Sequence, residues 1–211
     1  GTGICPVRGH SNVQGQRTVG ITEKPELAPL DVLKDMYGFE PPRHEGTTTV
    51  TACEKMITGE VKAFVALGGN FIRAAPEMRA VEEAWKKLRL TVSIATKLNR
   101  SHVVHGQVAY VLPCLGRIEI DEQATGRQAV SMESSLAHYH GSRGHVKPAS
   151  PHLRSEPAIV AGIAKATLEP NPKVPWDQWV GDYGLVRQQI EKTWPATFPD
   201  FSEKLFDPGG V

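Results

Sequence analysis

Cysteine is scarce in this sequence. Three residues in 211, Cys5, Cys53 and Cys114, lie far apart and form no C-x-x-C pair, which excludes a disulfide scaffold. A reducing, cytoplasmic compartment is therefore expected. Aromatics are 7% of the chain, too few for a stacking platform that would grip single strands. Net charge is +1, so neither nucleic acid nor an anionic membrane is expected as a partner. No apolar run approaches the roughly 18 residues of a membrane span. The chain begins at Gly1, with neither Met nor a signal peptide, and is expected to be a piece of a longer protein. Neither G-x-G-x-x-G nor G-x-x-x-x-G-K-[ST] occurs.

What is present is a core-forming composition, 40% hydrophobic and 22% charged, with 20 glycines and 16 prolines spread along the chain. Charge is uneven. Residues 89–155 hold 8 bases, 4 acids and six of the eight histidines, and two stretches there, 89–118 and 134–155, lack acids altogether. An acid-free surface suits an anionic ligand, although a solvated face balanced elsewhere in the fold would read the same way.

The clearest structural unit runs from 49 to 113. Thr51 with Glu54 fits a capping box ahead of Cys53, Met56 and Ile57, and Gly59 fits a helix stop. Val61 to Leu67 is a short apolar run that predicts a buried strand. Pro76 and Glu77 open a helix in which Met78, Val81, Trp85 and Leu88 recur at spacings of three and four. Leu90 to Ala95 and Val108 to Leu112 are two further strands. Strand, helix, strand, short crossover, strand predicts an α/β fold with a parallel sheet. Ligands of such sheets bind beyond the carboxyl ends of the strands. Those ends are Gly68-Gly69-Asn70, Thr96-Lys97-Leu98-Asn99 and Pro113 to Arg117. Later, Ser155 caps a helix expected to run to Leu168, and Asp182 to Thr193 forms another. The tail from Phe206 has no periodic signal.

Four groups of residues carry candidate chemistry. Gly68, Gly69 and Asn70 let a backbone approach a phosphate or a ring, or make a plain tight turn. Thr96, Lys97, Asn99, Arg100, Ser101 and His102 crowd donors and a cation at one strand end, as a nucleotide site or a solvated loop would. His138, His140, His145 and His152 invite a zinc reading, but their spacing fits no common signature, so no metal ligand is assigned. The N-terminal segment offers Arg8, which presents two parallel donors to a carboxylate, and Cys5, a nucleophile without a placed base. Ile4, Val7, Val13 and Val19 are its few apolar anchors, so it is expected to be poorly held.

The segment Arg8-Gly9-His10-Ser11-Asn12-Val13-Gln14-Gly15 resembles the R-G-x-N-N-V-Q-G segment of molybdopterin-dependent formate dehydrogenases. Later pieces follow in the family's order: Lys62 to Asn70, Thr91 to Asn99, and Val108 to Pro113. Leu112–Glu133 resembles the formate-dehydrogenase-like alpha subunits in particular. The likeness covers residues 4–170.

That resemblance implies a three-layer, Rossmann-like, parallel-sheet dinucleotide-binding domain with a helical C-terminal extension. The implied divisions are an active-site loop segment (1–20), a partial cofactor-binding domain (21–150) and a helical linker to an absent C-terminal domain (151–211). The implied cofactor is molybdenum bis(molybdopterin guanine dinucleotide). Its cysteine or selenocysteine ligand, the neighbouring histidine and any iron–sulfur cluster would belong to other parts of the intact subunit. Arg8 matches the arginine that orients a substrate carboxylate. His10 stands where formate dehydrogenases commonly have glutamine, which points away from formate. Gly68 and Asn70 match a turn beside the guanosine, and Thr96 and Lys97 sit near positions reaching its ribose or guanine. With Gly69 and Asn99 these are the candidate cofactor residues. Implied partners are a small anionic substrate, the remaining domains of the same subunit and electron-transfer subunits. The expected function is one part of a molybdenum oxidoreductase, inactive alone. A nucleotide-binding module or a non-catalytic interaction domain is the alternative.

Overall fold

The computed structural model describes residues 12–134 and 136–208. In chain order these form α1 (Val13–Thr18), a 3-10 turn (Pro25–Leu27), α2 (Leu30–Tyr37), α3 (Thr49–Ile57), β1 (Ala63–Leu67), α4 (Phe71–Ala74), α5 (Met78–Trp85), β2 (Leu90–Ala95), α6 (Arg100–Val103), β3 (Val108–Pro113), β4 (Glu122–Gln123), β5 (Gly126–Arg127), β6 (Val130–Glu133), β7 (Tyr139–Ser142), α7 (Glu156–Thr167), α8 (Trp176–Gly181), α9 (Tyr183–Thr193) and α10 (Phe201–Lys204). They divide into two compact units. One comprises Thr47–Gly116 and Pro148–Ile163; the other comprises the described residues within Gly1–Gly46, Arg117–Lys147 and Ala164–Val211. Among the described residues no helix is long and apolar enough to cross a membrane.

The first unit is the α/β, Rossmann-like parallel sheet that the sequence predicts. Its strands lie in the order β1-β2-β3, with Val65 opposite Val92 and Val92 opposite Tyr110. Thr91, Ser93 and Phe64 face a helical layer. Phe64 packs against Phe71 and Trp85, with ring centroids 4.7 and 5.0 Å apart. Val81, Ala84 and Trp85 make the inward stripe of α5, Leu88 joins them just past its end, and Cys53 and Met56 make that of α3. The Trp85 indole donates to the Val104 carbonyl at 2.9 Å, so the buried ring keeps its one polar atom satisfied.

Several local expectations are corrected. The cap of α3 is Thr48, whose hydroxyl accepts from the Thr51 amide, in place of the Thr51–Glu54 box. The α5 helix begins at Met78, because Glu77 takes a left-handed φ of 52° and leaves Pro76 outside. Met78 itself is exposed, lying at the open first turn. The run from Val61 is not a strand buried on both sides. Strand β1 starts at Ala63 and alternates, with Phe64 and Ala66 half-buried and Val65 and Leu67 exposed. An unbroken apolar run is blind to which face will be covered. Ser155 does cap α7, accepting from the Ala158 amide at 3.3 Å, and Asp182 caps α9 through the Gly184 amide at 2.8 Å.

The second unit is built around Tyr139, Phe198, Phe201 and Leu205, with Val19, Ile190 and Trp194 against them. Hairpins β4–β5 and β6–β7 supply its strands; at two and four residues each, they are too short to register as periodicity. The segment from Asn12 to Val19 has polar anchors that its apolar residues did not foretell. The Asn12 side chain accepts from the Glu133 amide at 3.0 Å, and the Thr18 hydroxyl donates to Glu133 at 2.9 Å. In the same unit Arg187 donates to Ser202 Oγ at 3.0 Å and to the Ala129 carbonyl at 2.9 Å. Burial pushes its guanidinium down from the ordinary value.

Candidate functional site

The carboxyl ends of β1 and β2 carry the loops singled out from sequence, and parallel pairing brings them side by side. Leu67 is opposite Ile94, and the Gly68 amide extends the ladder by donating to the Ile94 carbonyl at 2.8 Å. Gly68 and Gly69 take φ of 69° and 75°, a left-handed conformation that side chains other than glycine adopt at a cost. A Cβ at either would meet no atom within 4 Å. Backbone conformation is what requires glycine here, and the space beside the turn is open.

A polar clasp closes the two loops on each other. Asn99 Nδ2 donates to the Gly69 carbonyl at 2.8 Å, while Asn99 Oδ1 accepts from the Ser101 amide at 2.9 Å and caps α6. The Asn99 amide donates back to His102 Nδ1 at 3.0 Å, completing a capping box. The Ser101 hydroxyl donates to Asn70 Oδ1 at 3.1 Å and accepts from the Ile72 amide at 3.4 Å. Ser101 is 3% exposed, so these bonds form away from water and hold both loops to one frame. Asn70 and Asn99 thus spend part of their hydrogen-bonding capacity on the loops themselves.

Thr96 and Lys97 stand exposed beside this clasp, and neither side chain makes a hydrogen bond or ion pair among the described residues. The next cation, Arg100, is already engaged. It grips Glu82 of α5 through Nε at 3.2 Å and a terminal nitrogen at 2.6 Å, and this bond holds the Glu82 carboxyl below the usual carboxylate range. Lys97 is left as the uncommitted charge at the turn.

The other candidates fall elsewhere. Arg8, His10 and Cys5 lie outside the described residues. Cys114 is buried behind the third strand end, its thiol 4.0 Å from Glu156. His140 lies within β7, and the His145 amide donates to the Ile118 carbonyl at 2.8 Å. Among the described residues no three His, Cys, Asp or Glu side chains come together to hold a metal ion. Surface clefts of about 510 and 570 Å³ are lined by Pro25–Arg43 and Ala164–Gln178 residues and include none of the strand-end residues.

Sequence reasoning placed Ser101 in the polar group at this strand end but gave it no role of its own. Its signal is local: an asparagine two residues before it, at a strand end, is an N-cap pattern. What it bonds to across the loops is set only by the fold.

The geometry is that of a parallel α/β domain with its polar loops at the strand ends. No family model matches the chain. It is 48% identical over 210 residues to protein YdeP of Escherichia coli strain K12 and equally to its counterpart in Shigella flexneri. It is 43% identical over the same length to an uncharacterized oxidoreductase of Mycobacterium tuberculosis. Each match takes in the whole of this chain and 27% of the relative, so the chain spans about a quarter of the length of these proteins.

Proposed function

We propose that this stretch is the part of a molybdenum oxidoreductase that holds one guanine dinucleotide of a bis(molybdopterin guanine dinucleotide) cofactor. The observation that carries the reading is the clasp. Two strand-end loops, one glycine-rich and one bearing Thr96 and Lys97, are held together by Asn99, Ser101 and Asn70 over open space. The oxidoreductase class is supported by the name of the mycobacterial relative, which is 43% identical over the length of this chain.

The residues present fit such a group. A left-handed Gly-Gly turn with no atom near either missing Cβ lets a diphosphate or a ring lie against the backbone. An unpaired lysine in an acid-free stretch balances phosphate charge. Bound, the cofactor would supply two-electron exchange with the substrate. The chain's own work is to hold the dinucleotide at Gly68, Gly69, Asn70, Thr96, Lys97 and Asn99. Arg8 would hold a small anionic substrate by its carboxylate, with His10 beside it adapting the site to a substrate other than formate. Electron-transfer subunits and the other domains of the subunit complete this reading.

The test uses the full-length protein. Lys97→Glu and Gly69→Val are expected to lower the guanine nucleotide released by acid hydrolysis, per polypeptide, several-fold, while leaving the fold intact by circular dichroism. Wild-type nucleotide content in both variants would overturn the assignment.

A further inference from the structure

Asn12 stands at the start of α1, where its carbonyl accepts the first helical bond, from the Gln16 amide at 3.1 Å. An asparagine at that position normally has an extended backbone and turns its side chain back to cap a helix amide. This one does neither. Its φ of 66° and ψ of 7° are left-handed, and its side chain makes no cap bond. Asn12 Oδ1 accepts instead from the Glu133 amide of β6 at 3.0 Å, 121 residues further along the chain.

Two further features belong to this arrangement. A Cβ on Gly15 would lie 2.2 Å from Asn12 Oδ1 and 3.0 Å from Glu133 Cβ, so glycine is what lets the asparagine reach the strand. At the other end of α1 the Thr18 hydroxyl donates to Glu133 Oε2 at 2.9 Å. Glu133 is 4% exposed, and this one residue of β6 receives the helix at its first and last turns.

Helix stability does not call for such a start. A cap is left unmade, and a residue other than glycine sits in the left-handed region. Outliers of this kind persist where the surrounding structure over-determines them, and they gather at functional segments. What the arrangement fixes is the direction in which the chain enters α1. Arg8 stands four positions before Asn12 in the sequence. A residue four positions from a fixed one can range over at most about 14 Å, so the entry to α1 sets what an arginine there can reach.

We propose that Asn12 is a positioning residue for a small-carboxylate subsite: pinned to Glu133 across Gly15, it sets the approach of Arg8 to its anion. This rests on the reading of Arg8 as the group that holds the substrate carboxylate.

The test is made on the full-length, cofactor-loaded protein. Arg8 is modified with phenylglyoxal, the product is read on its peptide by mass spectrometry, and formate and acetate are the protecting probes. Asn12→Gly keeps the left-handed turn and loses the bond to Glu133. Gly15→Ala pushes the Asn12 side chain off the strand while placing a better helix former in α1. Thr18→Val loosens the far end of the same helix and leaves Asn12 anchored. The carboxylate concentration that gives half protection is expected to rise about ten-fold in Asn12→Gly and Gly15→Ala, at wild-type molybdenum content. Thr18→Val is expected to lower Tm and still protect within about two-fold of wild type. Wild-type protection in both Asn12→Gly and Gly15→Ala would overturn this proposal alone. So would an equal loss of protection in Thr18→Val, which would make the contact purely structural. Absence of protection by either carboxylate in the unsubstituted protein would overturn the substrate reading of Arg8, and this proposal with it.

Discussion

Asn99 donates from Nδ2 to the carbonyl of Gly69 at 2.8 Å, thirty residues back along the chain. The same side chain caps α6 through Oδ1. One amide therefore does two separable jobs, starting a helix and closing a loop.

Those jobs can be divided by substitution. Asn99→Ala removes both and is expected to cost about 1–2 kcal/mol in denaturant unfolding, the usual range for a lost N-cap. Asn99→Asp keeps the accepting oxygen and loses the donor. It should retain most of the stability yet lower nucleotide content in the full-length protein. Equal stability losses for Ala and Asp would mean that the bond to Gly69, not the cap, carries the energy.

Glycine positions are expected to differ in how they fail. Gly69→Ala meets open space, so its cost is that of a left-handed φ, about 1–2 kcal/mol. Gly106→Ala is worse, since its Cβ would lie 2.6 Å from the Leu88 carbonyl oxygen, a backbone atom with no room to yield. Thermal unfolding of the two variants should rank them in that order.

Trp85 allows packing and hydrogen bonding to be weighed apart. Trp85→Phe strands the Val104 carbonyl and should cost about 1–3 kcal/mol. Trp85→Ala also empties the centre of the helical layer and should cost about 3–5 kcal/mol, or prevent folding. Chemical denaturation monitored by far-ultraviolet circular dichroism reads both.

Tyr139 should titrate late. Burial comes first, leaving the hydroxyl without a hydrogen-bond partner among the described residues, and the negative charge of Glu133 adds to it, so the hydroxyl is pushed far above the ordinary tyrosine value of 10.0. The folded pKa is raised, so the stability this group contributes is full below pH 10 and is lost as pH rises beyond it. Tyrosinate absorbance should show a late-ionising class that Tyr139→Phe removes, and the substitution should flatten the alkaline fall in stability. A wild-type titration curve in Tyr139→Phe would show that the late class belongs to another tyrosine.

Arg8→Lys in the full-length protein separates substrate binding from cofactor binding. Losing one charge-assisted bond of a bidentate pair should lower kcat/KM for an anionic substrate about ten-fold to a hundred-fold. Molybdenum content should stay near wild type. Loss of metal with unchanged turnover per metal would make Arg8 structural.

By itself the sequence determined the parts whose cause is local. Val81, Trp85 and Leu88 recur at helical spacing, and Leu90 to Ala95 is the strand that the structure contains, residue for residue. Ser155 is a cap because a short polar side chain before an apolar stripe can satisfy an open helix amide, whereas Asp182, read as the first residue of a helix, is shown to be its cap only by the structure. From strand, helix and strand in that order, a parallel sheet and loops at its carboxyl ends follow. Tertiary structure alone decided which atoms meet. Ser101 reads as one more polar loop residue until the fold buries it between Asn70 and Ile72. The Glu133 carboxylate becomes an anchor for Thr18 only when residues 115 apart come together. The apolar run at Val65 could not reveal its exposed side, because a strand's sequence records that both faces are apolar and not what covers them. That is set by packing across the whole sheet.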